Sequence, residues 1–270
     1  MTGRLADKKA IVVGAGQTPG ETIGNGRAMA MLFARQGADV LCVDRNPSRA
    51  QETVDMITAE GGRAWAFGAD IVSPEESAAI VSEGRSRFGR IDVLVNNVGI
   101  GSSEKGGDGP AHLAGEDAYD RLMEVNLKGM WLTIRAAVPV MRKTGAGSII
   151  NISSLASLAG NNMIAYEVSK AGVNRLTLSV ASANAKYGLR CNAILPGLMD
   201  TPMAITGVAA ATGRSTDETR ALRSSRVPLN AQMGSGWDTA YAALFLASDE
   251  SKFITGVLLP VDGGMSARVG

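Results

Sequence analysis

Tyr166 and Lys170 stand at positions i and i+4, a spacing that in a helix places two side chains one turn apart on the same face. Such a pair suits proton chemistry at an alcohol or ketone carbon. Oxidising an alcohol requires a base to take the hydroxyl proton while hydride leaves the same carbon. A free phenol, with a pKa of about 10, is scarcely ionised near neutrality, whereas an ammonium group one turn away stabilises the phenolate. Lowering that pKa by ~2 would favour the ionised form by about 3 kcal/mol. Upstream, Ser153 and Ser154 end a β-rich run, and a hydroxyl there can bind the substrate oxygen and stabilise the charge that grows on it. Adjacent strand residues face opposite sides, so the two serines do not serve one site equally. Alone, Tyr166 and Lys170 would read as a surface helix pair; their place after a strand ending in Ser-Ser favours chemistry.

The elements that must position these groups are legible as a rhythm. Short apolar runs at residues 10–13, 39–43, 64–67, 91–95, 148–152 and 189–195 alternate with stretches of helical period. Repeated βαβ units of this kind imply a parallel sheet. Right-handed crossovers with helices on both faces predict an α/β fold, a single Rossmann-type doubly wound parallel sheet, over one domain spanning residues 1–270. Its ligand crevice lies at the carboxyl ends of the strands, so the less regular segment at about 200–227 and the glycine-rich stretch 101–115 could border a substrate. A net charge of +1 provides no field to recruit nucleic acid or an anionic membrane surface. Cys42 and Cys191 fall in separate apolar runs and read as reduced core thiols. No stretch approaches the ~18 apolar residues of a membrane span, and a cytoplasmic location is expected.

At the first strand end, Gly14 is followed after a loop by Gly24, Asn25 and Gly26, which open a helix. Glycines there let backbone N–H groups approach a pyrophosphate at the positive end of the helix. Asp44 closes the second strand, where a carboxylate can accept both ribose hydroxyls of an adenosine; it could also simply cap the helix that begins near Pro47. Asp70 and Ile71 follow the third strand and could flank the adenine. Asn96, Asn97, Val98 and Gly99 follow the fourth, to brace the sheet edge or touch the cofactor.

Together, the glycine loop, Asn96-Asn97-Val98-Gly99, Val125-Asn126, Asn151-Ile152-Ser153-Ser154, Tyr166-Glu167-Val168-Ser169-Lys170, Pro196-Gly197, Thr201 and Val261-Asp262-Gly263-Gly264 resemble the short-chain dehydrogenase/reductase superfamily, over residues 9–264. The resemblance implies an oxidoreductase moving hydride between NAD(H) and a secondary alcohol or ketone, with Tyr166 as general acid/base. It implies that Lys170 also holds the nicotinamide ribose and that Asn126 holds a water in the proton relay. Matching the strand end selects Ser154 over Ser153. Residues 196–201, Met199 among them, would cover the nicotinamide, with Thr201 bonding its carboxamide or the phosphates. Residues 240–247 and 256–260 would form subunit contacts of a homo-oligomer, a tetramer.

The glycine loop departs from the family pattern: Gly14 and Gly24 are ten positions apart where the common form has four, and Val13 replaces a threonine. Thr18 and Thr22 could supply hydroxyls to the phosphates. A lengthened loop also occurs in the superfamily's enoyl reductases, which reduce carbon–carbon double bonds; their more widely spaced tyrosine and lysine differ from those seen here. A nucleotide-binding protein without catalysis is the other alternative. Arg214, Arg220, Arg223 and Arg226 could recognise a carboxylate, phosphate or coenzyme A group, but read more simply as a solvated helix face. His112 reads as an exposed loop residue, and Met199 and Met203 as an adaptable apolar wall.

Overall fold

The computed structural model describes residues 3–101, 107–160 and 162–267; part of the glycine-rich stretch, 102–106, lies outside these. Seven strands form one parallel sheet in the order β3-β2-β1-β4-β5-β6-β9: β1 (Lys9–Val13), β2 (Asp39–Asp44), β3 (Arg63–Gly68), β4 (Val93–Asn96), β5 (Gly147–Ile152), β6 (Leu189–Pro196) and β9 (Leu258–Val261). The doubly wound sheet expected from the sequence is present. The inner strands β1, β2 and β4 are near-continuous apolar runs because helices cover both faces, whereas the edge strand β3, Arg-Ala-Trp-Ala-Phe-Gly, is only partly buried. Alternate residues divide between two cores. Val12, Val40, Cys42, Val95 and Ile150 pack beneath α1 (Asn25–Arg35) and α9 (Gly236–Ala247). Ile11, Leu41, Val43, Leu94 and Ile149 pack beneath α3 (Pro74–Phe88), α5 (Met130–Met141) and α6 (Ile164–Asn184).

Strand order reverses between β1 and β4: from β1 the chain winds outward through β2 and β3, then returns to β4 and winds the other way. The carboxyl ends of β1 and β4 therefore diverge from their following connections, and a crevice opens between them. Helix α1 starts at this crevice and is anchored by Met29 and Phe33, both fully buried; truncating such a side chain to alanine costs about 2–5 kcal/mol.

Two differences from the sequence reading matter for the site. The segment at about 200–227 is largely helical, with α7 (Pro202–Thr212) and α8 (Thr216–Ser224) following the short strand β7 (Met199–Asp200), which pairs with β8 (Gly234–Ser235). Its punctuation is local: Pro202 starts α7, Gly213 ends it at φ +67°, and Ser215 with Glu218 forms a capping box for α8. The second concerns Asn126, which lies in a π-helical turn (Glu124–Gly129) between α4 (Glu116–Met123) and α5. Cys42 and Cys191 are free and buried in β2 and β6, and burial pushes both thiols up to about 12. Among the described residues no helix is long and apolar enough to cross a membrane.

Candidate active site

The glycine loop begins where β1 ends. Gly14 has φ +84°, and a β-carbon there would come within 2.9 Å of the Val98 nitrogen; both constraints require glycine. Asn97 closes this end of the crevice: its nitrogen donates to the Val13 carbonyl at 2.9 Å and its Nδ2 to the Gly14 carbonyl at 2.9 Å. A β-carbon on Gly26 would collide with that same carbonyl and with Asn97. Of its two expected roles, the Asn97 side chain thus performs the bracing one. Behind it, the buried Asn96 and Asn151 side chains bond each other at 3.0 Å and reach Thr133 on α5 and Thr177 on α6. This buried polar network ties the ends of β4 and β5 to the helices beneath.

Gly24 is the N-cap of α1 and contributes no side-chain cap. The helix's free N–H groups face the crevice without a competing acceptor from their own cap residue, a cradle suited to a pyrophosphate. The extra residues of the loop are folded back on themselves by Gln17, whose Oε1 accepts from the Gly24 nitrogen at 2.7 Å and whose Nε2 donates to the Thr22 carbonyl at 3.0 Å. The tip then reaches across to the segment after β6. A β-carbon on Gly20 would press on Pro202, Thr22 lies 3.4 Å from Asp200, and Glu21 pairs with Arg220 at 2.9 Å. Thr22 is thereby directed toward Asp200 through its hydroxyl rather than toward a phosphate.

Asp44 is not the helix cap. Asn46 holds that position over Pro47, with its Oδ1 accepting from the Ser48 nitrogen at 3.0 Å. One Asp44 oxygen accepts from the Asn46 nitrogen at 2.9 Å, and the other faces Gly16, where a β-carbon would lie 2.5 Å from it. The carboxylate thus stands directly beside the glycine loop. Asp70 turns one oxygen back to the Val72 nitrogen at 3.1 Å, and the Ile71 side chain is buried against Gly129. The Ile71 carbonyl accepts from the Ser77 hydroxyl at 2.9 Å, which leaves the Ile71 main-chain N–H for a ligand.

At the other end of the crevice, β5 runs into the two serines. Ser153 is buried and its hydroxyl donates to the Lys170 carbonyl at 3.0 Å, which fixes α6 to the sheet and removes Ser153 from the site. Ser154 faces the other way and hydrogen-bonds to the Tyr166 phenol. Lys170, one turn along α6, is buried; its Nζ donates to the Ile152 carbonyl at 3.0 Å and lies 5.8 Å from the centre of the Tyr166 ring. Gly99 makes room for that ammonium, since a β-carbon there would sit 3.0 Å from Nζ. Asn126 is fully buried, and its amide is committed to the Ile100 main chain at 2.8 and 3.0 Å and to the Ser169 hydroxyl at 3.1 Å. Both of its N–H donors are used, so the side chain is a brace, and a relay water would have to bind its main-chain carbonyl.

The electrostatics differ from the simple picture of a lysine depressing a phenol. Burial dominates and raises the Tyr166 pKa; the hydrogen bond from Ser154 and the charge of Arg223 oppose it. Burial also brings Lys170 down to about 8. The protein on its own therefore favours a neutral phenol, the form that donates a proton.

Several residues were missed or misjudged from sequence. Asp108, from the glycine-rich stretch, accepts from the Ala165 and Tyr166 nitrogens at 3.0 Å each, satisfying two free N–H groups at the start of α6. Arg223 on α8 is half-buried and directed at Tyr166 electrostatically, not part of a uniformly solvated face. Met199 is buried against Gly234 in the small sheet, whereas Met203 is exposed, so the two do not make one wall. Thr201 is buried at the start of α7 with its hydroxyl free of any capping bond, and His112 is exposed in its loop.

A family model described as Enoyl-(Acyl carrier protein) reductase matches residues 21–266. The chain is 38% identical over 267 residues to an L-rhamnose 1-dehydrogenase (NAD(P)(+)) of Azotobacter vinelandii, covering 97% of each. The fold superposes on carveol dehydrogenase from Mycobacterium avium in complex with NAD with a TM-score of 0.89 at 29% identity, covering 99% of this chain and 100% of that one. It is also similar to a short-chain type dehydrogenase/reductase from Mycobacterium marinum, with a TM-score of 0.86 at 28% identity over 98% and 97% of the two chains. A doubly wound sheet whose crevice joins a glycine-capped helix to a Ser-Tyr-Lys cluster, with relatives matched along nearly their whole length, has one reading: the chain belongs to the short-chain dehydrogenase/reductase superfamily of oxidoreductases.

Proposed function

We propose that this protein moves hydride between NAD(H) and a secondary alcohol or ketone, with Tyr166 as general acid and base. The observation that carries this reading is the Ser154–Tyr166 hydrogen bond with the Lys170 ammonium 5.8 Å from the phenol ring, all at the carboxyl end of β5. Two hydroxyls converging in this way fit one carbonyl oxygen. In reduction Tyr166 gives its proton to that oxygen while Ser154 donates a hydrogen bond to it as negative charge develops. In oxidation the proton returns to Tyr166, and the positive charges of Lys170 and Arg223 favour the phenolate. Asn126 holds the turn at Ile100 and, through Ser169, the helix carrying the tyrosine.

The nicotinamide, when bound, supplies or receives the hydride. The residues present fit such a group: Gly14, Gly24 and Gly26 leave the N-terminus of α1 open to a pyrophosphate, and Asp44 holds a carboxylate beside it for the ribose hydroxyls. Asp70 and the Ile71 main chain would flank the adenine. Asn97 and Gly99 form the floor, Lys170 would reach the second ribose, and Thr201 with the main chain of Met199 would meet the nicotinamide. The dehydrogenases among the relatives, one named for NAD(P)(+) and one in complex with NAD, support a nicotinamide cofactor; Asp44 favours NAD.

The name of the matched family model motivates a second reading, reduction of a carbon–carbon double bond. Absorbance of the reduced nicotinamide, followed with a panel of ketones and of enoyl thioesters, separates the two. Oxidation of the reduced cofactor by ketones is expected. Turnover of enoyl thioesters alone would overturn the carbonyl assignment, and no turnover with tight cofactor binding would favour a nucleotide-binding protein without catalysis. A location in the reducing cytoplasm belongs to this reading and is supported by the two thiols, both free and buried. Assembly as a homotetramer is supported by the edge strand β9 and by Tyr241 and Phe253, which are 58% and 100% exposed.

A further inference from the structure

Helix α8 carries two arginines one turn apart whose situations are opposite. Arg220 is saturated: it pairs with Glu21 at 2.9 Å, Asp217 at 3.2 Å and Asp200 at 3.4 Å. Asp200, the acidic group whose charge is felt at Arg223, is thereby already engaged by Arg220 and by the Thr22 hydroxyl. Arg223 forms no ion pair among the described residues, and its Nε is fully buried without a hydrogen-bond acceptor. Its remaining charged neighbour, Arg226, repels it, and burial lowers its pKa. Its charge is felt at the Tyr166 phenol, where it favours the ionised form.

A buried guanidinium donor is rarely left without an acceptor. A helix that follows β7 and delivers such a group to the proton donor of a reaction site presents it to whatever occupies that site. Guanidinium matches planar or tetrahedral oxyanions through parallel N–H···O bonds. From this juxtaposition we infer that the substrate carries a negatively charged oxyanion group, a carboxylate, phosphate or sulfonate near the reacting carbon, and that Arg223 binds it. The inference rests on the alcohol/ketone reading of the same site and specifies its substrate class. Arg223 is then a specificity-determining residue, and the clasp of Glu21, Arg220 and Asp200 has the further effect of removing the acidic group that would otherwise neutralise it.

The test uses matched probes, oxo acids and their uncharged amides, with reduced cofactor. The wild-type protein should prefer the acid in kcat/KM by roughly 10- to 100-fold, the scale of a charge-assisted hydrogen bond. Arg223→Gln should erase most of that preference, chiefly through KM for the acid, and Arg223→Lys should restore part of it, since a point charge keeps attraction without the fork. Equal activity on acid and amide in the wild type, or an equal loss on both in Arg223→Gln, would overturn the inference while leaving the carbonyl reading intact. If no ketone of either kind is turned over, the carbonyl reading fails, and a binding measurement decides Arg223 separately. Sulfate at constant ionic strength should raise the Tm of the wild type and raise it less in Arg223→Gln; an identical rise in both would overturn the inference.

Discussion

At the residue scale, Asp44 is half-buried and Lys170 buried, so solvent screens neither charge fully. Asp44 presents one carboxylate oxygen toward the glycine loop at Gly16. A ribose phosphate would bring about two negative charges against it and remove a hydroxyl that it could accept from. Replacing Asp44 with alanine should therefore shift the kcat/KM ratio toward NADP by at least roughly tenfold, the effect of about 1.4 kcal/mol. An unchanged ratio would reduce Asp44 to a turn residue. Lys170 gives a pH prediction. Its fall from 10.5 to about 8 corresponds to about 3 kcal/mol. Between these two values the unfolded chain binds a proton that the folded protein does not, so raising the pH through this window stabilises the fold. The stability of the wild type relative to Lys170→Met should grow from below pH 8 to above 10.5 by up to about 3 kcal/mol; a flat difference in denaturant titrations would contradict the assignment. The proximity of Tyr166 to Lys170 was legible from a spacing of four residues, and the role proposed for Ser154 follows from a motif. That burial rather than Lys170 governs the phenol was not legible, because desolvation depends on what packs around a side chain, and sequence spacing carries none of that.

The elements explain why these residues meet. Helix α6 fixes both Tyr166 and Lys170, and its first turn is satisfied by a carboxylate from 57 residues away, Asp108. No local pattern could disclose that contact, since a carboxylate in a glycine-rich stretch has no helix of its own to cap. Removing it leaves N–H donors of α6 without their acceptor and takes negative charge from the helix's positive end. Asp108→Ala should lower stability by about 1–2 kcal/mol and lower kcat more than it affects cofactor Kd, while Asp108→Asn, which keeps an acceptor, should recover much of both. If Asp108→Ala alters cofactor Kd and kcat alike, the carboxylate does not act through Tyr166. The helices α7 and α8 show the converse case. Pro202, Gly213 and the Ser215–Glu218 capping box were local signals available in the sequence, yet the helices' short lengths and uneven apolar pattern obscured them. A helix face was read for Arg220 and Arg223 but the bounds of α8 were not, so its phase was unknown and their different fates could not be separated.

Across the whole molecule, the order of strands decides where chemistry can occur. The apolar runs of the inner strands were readable because a parallel strand buried on both faces is apolar nearly throughout, and the edge strand β3 from its aromatic and alanine run. Their order in the sheet puts Gly14, Asn97 and the end of β5 on one rim, so the glycine loop proposed to hold a nucleotide and the Ser154–Tyr166–Lys170 cluster share a crevice. The six added loop residues, which the sequence displays without explaining, join that rim to α8 through Gln17, Glu21 and Arg220. The most direct test of the central claim is turnover by Tyr166→Phe, measured beside the binding of reduced cofactor by fluorescence titration. The phenyl ring retains the packing but has no proton to give, so hydride transfer to a ketone should fall by at least roughly 10²-fold while cofactor Kd stays within a few-fold of wild type. Near-normal turnover in that variant would contradict the account.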